Sequence, residues 1–251
     1  MTETKPTSAP DSSHGTGAFA QRTRIKICGL TREQDVDAVV AAGADAVGFV
    51  LYPPSPRYVT PQRAAELAKR LPPFVTPVLL FVNENATNVI AACADIPCAT
   101  VQFHGEETAE QCWEASNQGR RPFLRAARIP LGDSGSFDLV KFASDYATAQ
   151  AILLDAHVDG YGGGGKTFNW SRLPPSVNSH LVLSGGLTPA NVTDGILQVR
   201  PRALSLSVDV SSGVEVSKGI KDAAKIHQFV AAVRAADVQL AKLHHDSLPT
   251  T

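Results

Sequence analysis

A chain of 251 residues can fold as one large domain or two small ones, and a single eight-stranded α/β barrel takes about 250 residues. Hydrophobic residues make up 43% of it, enough for a sizeable core, while a net charge of −1 leaves no basic face for a nucleic-acid partner. No apolar run reaches the roughly 18–20 residues of a membrane helix, so no membrane partner is expected either, and a small anionic ligand has to be held by a local site.

Residues 1–23 (MTETKPTSAPDSSHGTGAFAQRT) are rich in Thr, Ser, Pro and Gly and lack the apolar segment of a secretory signal. They cannot bury apolar surface and are expected to form a disordered tail, as is the stretch 242–251 at the other end. Between them a single domain over 24–241 is expected.

That span alternates short β-branched or apolar runs with helical patterns, eight times over. The runs are RIKICGL (24–30), AVGFVLY (46–52), PVLLFVN (77–83), ATVQFHG (99–105), PFLRAARI (122–129), AILLDAHV (151–158), HLVLSGGL (180–187) and ALSLSVDV (203–210). Several are apolar at both odd and even positions, as parallel strands covered on both faces must be. Spacings of about 20–30 residues leave room for one crossover helix each. Thr31 is expected to cap the helix REQDVDAVVAAG, with Gly43 as its stop. Thr60–Pro61 opens a second helix, Thr188–Pro189 repeats that device, and a last helix is expected over 220–240. The pattern predicts a closed (β/α)8 TIM barrel.

The cysteines are Cys28, Cys93, Cys98 and Cys112, without CxxC pairing or a histidine cluster at metal spacing. Nothing in them suggests a disulfide scaffold, and a reducing, cytoplasmic compartment is the expectation.

In this fold the active site lies at the C-terminal ends of the strands, where the sequence concentrates its polar groups. The seventh and eighth runs end in SGGL and SSGVE, turns small enough to aim backbone N–H groups at an anion. Taken singly, such glycines need only permit a tight turn; together at these two strands they predict a phosphate site at Gly185, Gly186, Ser211 and Ser212. The run Gly160–Thr167 (GYGGGGKT) looks superficially like a Walker loop, but it follows the sixth strand of a barrel and reads as a mobile active-site loop.

Cys28 and Asp155 end the first and sixth strands, three positions apart around a ring of eight. Two titratable groups across one mouth can take a proton from one atom and deliver one to another. Lys26 shares the strand parity of Cys28, which allows it to favour a thiolate. Arg57, in the proline-stiffened PPSPRY, has a guanidinium that can pair with a carboxylate through two parallel hydrogen bonds. His104 is either a substrate contact or a histidine ordered by loop backbone.

KICGLT (26–31), GADAVGFVLYPPSPRYV (43–59), VQFHGEE (101–107), LLDAHVDGYGGGGKTFNW (153–170), LSGGLTPANV (183–192) and VDVSSGVEVSKGIKD (208–222) together resemble phosphoribosylanthranilate isomerase, in order and over nearly the whole folded span. The resemblance implies an Amadori rearrangement of N-(5-phosphoribosyl)anthranilate to 1-(2-carboxyphenylamino)-1-deoxyribulose 5-phosphate in tryptophan biosynthesis. It further implies Asp155 as general acid to the furanose oxygen and Cys28 as general base at C2. The iminium would be the electron sink, so no metal or cofactor is expected. Arg57 would orient the anthranilate carboxylate, Asp209 would lie near the ribose hydroxyls, and His104 is placed with the substrate-binding residues. The loop departs from the family's usual GGTGKTFDW at Gly164 and Asn169. The partner is then a small phosphorylated substrate, with the chain a monomer or a homodimer. Two alternatives are a sister barrel isomerase of histidine biosynthesis, which would carry aspartate where Cys28 stands, and a non-catalytic phosphate-ligand barrel.

Overall fold

The computed structural model of the chain describes residues 22–131, 137–157 and 167–246. Eight parallel strands close on themselves in chain order: β1 (Arg24–Cys28), β2 (Ala46–Val50), β3 (Thr76–Phe81), β4 (Thr100–Phe103), β5 (Phe123–Pro130), β6 (Ala151–His157), β7 (Val177–Leu183) and β8 (Ala203–Val210). Pairing runs around the whole ring, Cys28 opposite Gly48, Leu80 opposite Gln102, Arg128 opposite Asp155, and Asp209 opposite Lys26 where β8 meets β1, with one register shift between Val177 and His180 in the β7–β8 pair. The expected TIM barrel is therefore the observed one.

One parity of each strand faces the lumen. There Val78, Leu124, Ala126, Ala151, Leu153 and Val182 fill the middle of the barrel. Toward the C-terminal ends of the first three strands, Cys28, Val50, Leu80 and Val82 form a smaller apolar group. The other parity packs outward, with Phe49, Phe103 and Leu154 fully buried against the helices. Each such large side chain contributes about 1.5–3 kcal/mol of transfer free energy.

The helices are α1 (Glu33–Ala41), α2 (Pro61–Ala68), α3 (Ala86–Ala92), α4 (Ala109–Ala115), α5 (Leu139–Asp145), α6 (Val192–Val199) and α7 (Ala223–Asp246). Thr60 caps α2 as anticipated, its hydroxyl accepting from the Arg63 amide, and Gly43 follows α1 at φ +81°. Two caps differ from expectation. Thr31 does not cap α1; Arg32 holds the cap position, and the Thr31 hydroxyl donates to the Gly219 carbonyl 3.0 Å away. Likewise α6 starts beyond Thr188–Pro189, after a turn in which the Asn191 side chain accepts from the Thr188 amide and donates to the Gly186 carbonyl.

Between β6 and β7 the described residues hold only a short 3-10 turn, Trp170–Arg172, in place of the crossover helix that regular alternation predicts. The glycine-rich loop over 160–166 lies outside the described residues. The last helix begins after a hairpin of β9 (Glu215–Ser217) and β10 (Ile220–Lys221), not at Ile220, and runs to Asp246, five residues into the expected tail. Thr23, assigned by composition to the leading tail, is buried, and its amide donates to the Asp237 carboxylate on α7. Among the described residues no helix is long and apolar enough to cross a membrane.

Candidate active site

The side chain of Cys28 is the last inward-facing group of β1 and is 5% exposed. Its neighbour across the ladder has to be small: a Cβ added at Gly48 would sit 2.6 Å from the Cys28 sulfur. Ser211, after β8, donates its hydroxyl to the Cys28 carbonyl at 3.0 Å and fixes the strand end. One layer deeper, the Lys26 ammonium lies 2.9 Å from Asp209 Oδ2, with both side chains buried. The contact is one of charge more than of alignment, for neither Lys26 Nζ nor Asp209 Oδ1 makes a well-directed hydrogen bond among the described residues.

Burial pushes the Cys28 thiol up; Lys26 pulls it down, Asp209 pushes it up and Lys221 pulls it down, and the net result lies above the ordinary thiol value. Burial also pulls the Lys26 ammonium down, but the charges of Asp209 and Cys28 outweigh it and leave it above its ordinary value. Lys26 therefore acts on Cys28 in the direction anticipated without making a resting thiolate. Lys26→Met is expected to move the pH midpoint of Cys28 alkylation by iodoacetamide further upward, because the opposing cation is gone while burial and Asp209 remain. A midpoint unchanged or lowered would show that Lys26 does not act on the thiol.

Across the ring, β6 presents Asp155 at its lumenal rim, 7% exposed. Asp155 Oδ2 lies 2.9 Å from His104 Nε2, and its Oδ1 accepts from the Ala156 amide at 3.0 Å. The other ring nitrogen of His104, Nδ1, lies 3.0 Å from Gln102 Nε2. His104 is thus ordered by side chains, not by loop backbone. Gln102 was assigned no role from sequence. Its signal was local, since it stands two residues before His104 on one strand and so on the same face.

Arg57 is buried, its side chain crossing Gly29, where a Cβ would leave it no room. Its Nε and Nη2 each meet one oxygen of Glu215 at 2.8 Å. The fork-to-carboxylate pairing anticipated for a ligand is made inside the chain, through Nε and Nη2. Glu215 also accepts from Lys221 at 2.7 Å, and Lys221 reaches the Ser211 carbonyl at 3.1 Å. Burial raises the Glu215 carboxyl, but the hydrogen bond from Arg57 and the Lys221 charge prevail and hold it below its ordinary value. Burial in turn holds Lys221 below the ordinary ammonium value despite Glu215.

A carboxyl held low only in the folded state adds stability above the ordinary carboxylate range and loses it as pH falls through its folded value. Glu215→Ala is expected to cost about 3–5 kcal/mol in urea unfolding near neutral pH, since two buried cations lose their counter-ion. The gap to the unsubstituted chain should narrow in acid; a gap that stays constant or widens would contradict the assignment.

The two small turns are neighbours. Gly185 has φ +78°, a left-handed value that costs a side-chain-bearing residue strain, and a Cβ there would lie 2.9 Å from Asp155 Oδ1. Gly186 has φ +66°. Ser212 opens the 3-10 turn Ser212–Val214, whose Gly213 backs onto the Leu187 carbonyl with no space for a Cβ. The Ser211 hydroxyl is engaged with Cys28 and Lys221. Contacts therefore join Cys28, Lys26, Asp209, Arg57 and Ser211 on one side, and Asp155, His104 and Gly185 on the other. Among the described residues no group of three or more His, Cys, Asp or Glu has metal-holding geometry.

The family model for N-(5'phosphoribosyl)anthranilate (PRA) isomerase matches residues 25–232. An N-(5'-phosphoribosyl)anthranilate isomerase from Leptothrix cholodnii is 62% identical over 218 residues, 87% of this chain and 94% of that one. Phosphoribosyl anthranilate isomerase from Thermotoga maritima superposes with a TM-score of 0.75 at 40% identity, covering 85% of this chain and 99% of the other. A phosphoribosyl anthranilate isomerase in complex with reduced 1-(o-carboxyphenylamino)-1-deoxyribulose 5-phosphate superposes at 0.68 with 36% identity, over 85% and 99%.

Proposed function

The chain belongs to the N-(5'-phosphoribosyl)anthranilate isomerase family, and on that premise we propose how its residues divide the work. The reaction is the Amadori rearrangement of N-(5-phosphoribosyl)anthranilate in tryptophan biosynthesis. Asp155 protonates the furanose oxygen; the C1–O bond breaks as the nitrogen lone pair forms a C1=N iminium. Cys28 removes the proton at C2, and the C–H electrons form the C1=C2 enolamine while the nitrogen becomes neutral. Loss of the enol proton and protonation of C1 give the aminoketone. Burial holds the Cys28 thiol above its ordinary value; the iminium charge formed beside it adds to that of Lys26 in favouring the thiolate, whose proton passes to solvent water before the sulfur takes the one at C2.

Arg57 holds the anthranilate carboxylate through Nη1, with Glu215 keeping the rest of its fork occupied. Asp209 Oδ1, buried and without a partner among the described residues, takes a ribose hydroxyl. The phosphate sits between the turns at Gly185–Gly186 and Ser211–Ser212, held chiefly by backbone N–H groups. His104 lines the same rim and bonds Asp155. The observation that carries this reading is the placement of Cys28 and Asp155 on the inward parity of strands three positions apart around one closed ring.

A free thiol at every described cysteine supports a reducing, cytoplasmic setting. The chain works as a monomer or a homodimer on a small phosphorylated substrate, which sedimentation during turnover decides. The electron sink is the substrate's own nitrogen, so consumption of the fluorescent substrate is expected to proceed unchanged in excess chelator. Turnover that vanishes with chelator and returns with a metal would contradict this route.

A further inference from the structure

We propose that Gln102 is a positioning residue for the acid step: through His104 it decides which oxygen of Asp155 carries the proton. The proposal rests on the reading of Asp155 as general acid. Gln102 is completely buried in the lumen, below His104 on β4. Its Nε2 is 3.0 Å from His104 Nδ1, while its Oε1 is buried with no partner among the described residues. A carbonyl oxygen shut in the lumen without a donor costs free energy, so the amide is held in this orientation against a penalty.

A carboxamide NH2 only donates, so His104 Nδ1 must offer a lone pair, and the ring proton of the neutral imidazole sits on Nε2. That N–H donates to Asp155 Oδ2 across 2.9 Å. Asp155 faces two N–H groups, the His104 ring at Oδ2 and the Ala156 amide at Oδ1. The imidazole N–H, at 2.9 Å, is the closer donor and claims the carbonyl oxygen, so Oδ2 becomes the carbonyl and Oδ1 the hydroxyl, whose oxygen still accepts from Ala156 at 3.0 Å. Oδ1 is the oxygen beside Gly185, at the turn proposed to hold the phosphate, and the furanose oxygen lies only a few bonds from that phosphate. The proton thus points to where the ring must open.

The opposite amide orientation would reverse this order. With Gln102 Oε1 on Nδ1, that nitrogen would carry the hydrogen, and Nε2 would accept the acid's proton instead of leaving it for the substrate. A wrong histidine tautomer disables catalysis even where geometry is kept. The same contact explains why a short strand keeps a glutamine in an otherwise apolar layer beside Leu80 and Leu124.

The test combines tautomer and kinetics. Nitrogen-15 NMR of the full chain labelled at histidine is expected to show His104 with a protonated Nε2 and a bare Nδ1. In Gln102→Leu the two tautomers should mix, and kcat should fall about tenfold or more, a share of the roughly 10²–10⁴ that a positioned acid contributes. KM should stay within about twofold, because no substrate contact is lost. Gln102→Glu, whose carboxylate can only accept, should force hydrogen onto Nδ1 and lower kcat further. A protonated Nδ1 in the unsubstituted neutral ring, or a folded Gln102→Leu chain with unchanged tautomer and kcat, would overturn the proposal. Full turnover by Asp155→Asn would instead remove the acid assignment while leaving the tautomer measurement standing, so the two failures are distinct.

Discussion

Cys28→Ala is expected to lower kcat by a factor of roughly 10²–10⁴ while the chain stays folded. The substitution removes the only atom on β1 proposed to accept the C2 proton. It removes little packing, since the thiol touches the small cluster of Val50, Leu80 and Val82, and the Ser211 hydroxyl keeps its bond to the backbone carbonyl. Cys28→Ser separates base strength from volume. A hydroxyl fits the space opposite Gly48 but is a far weaker acid than a thiol, so its conjugate base is scarcely formed, and serine should be nearly as impaired as alanine. Single-turnover rates at saturating substrate check this, and near-normal rates in either variant would remove Cys28 from the base role.

Asp155→Asn is expected to produce a loss of the same order, on kcat more than on KM. The amide is the same size as the carboxyl, and its oxygen can still accept from His104 Nε2 or the Ala156 amide. What disappears is a proton that can be given to the furanose oxygen, so the ring stays closed and the iminium does not form. An acid acts at the transition state, and its loss leaves ground-state binding mostly in place. A variant that weakened binding and left saturated turnover intact would assign Asp155 to substrate contact instead.

Much of the scaffold was legible in order. Eight runs in alternation with helical patterns, several of them apolar on both parities, marked parallel strands, and their polar ends marked the rim. Thr60 followed by Pro61 marked a helix start because cap and first-turn proline act within four residues. Thr188–Pro189 has the same local signal, yet Asn191 captures the Thr188 amide and the helix starts later. Thr31 is drawn to a carbonyl 188 residues away. At Thr31 the local capping rule fails because a distant partner takes the same hydroxyl.

The site divides along the same line. Cys28, Asp155 and the paired small turns lie at strand ends, where strand order pointed to them, while Asp209 was singled out by the family resemblance. Arg57 was visible as a cation in a stiff loop, but not its partner, because Glu215 stands 158 residues on and the pairing exists only once the ring closes. Lys221 was hidden for the same reason, within a stretch that resembled the start of a helix and forms a short hairpin strand. Gln102 was readable in principle from its parity with His104. Its importance rests on an unpartnered oxygen in a buried layer, which no sequence pattern displays.

The central claim is that one substrate touches Cys28 and Asp155 at once from opposite walls of the barrel mouth. A crystal structure of this chain with reduced 1-(o-carboxyphenylamino)-1-deoxyribulose 5-phosphate bound tests it most directly. The Cys28 sulfur is expected within about 3.5 Å of C2, near-attack distance, and an Asp155 oxygen within about 2.6–3.2 Å of the 4-hydroxyl, the former ring oxygen. A ligand seated on the two small turns that reaches only one of the pair would contradict the account.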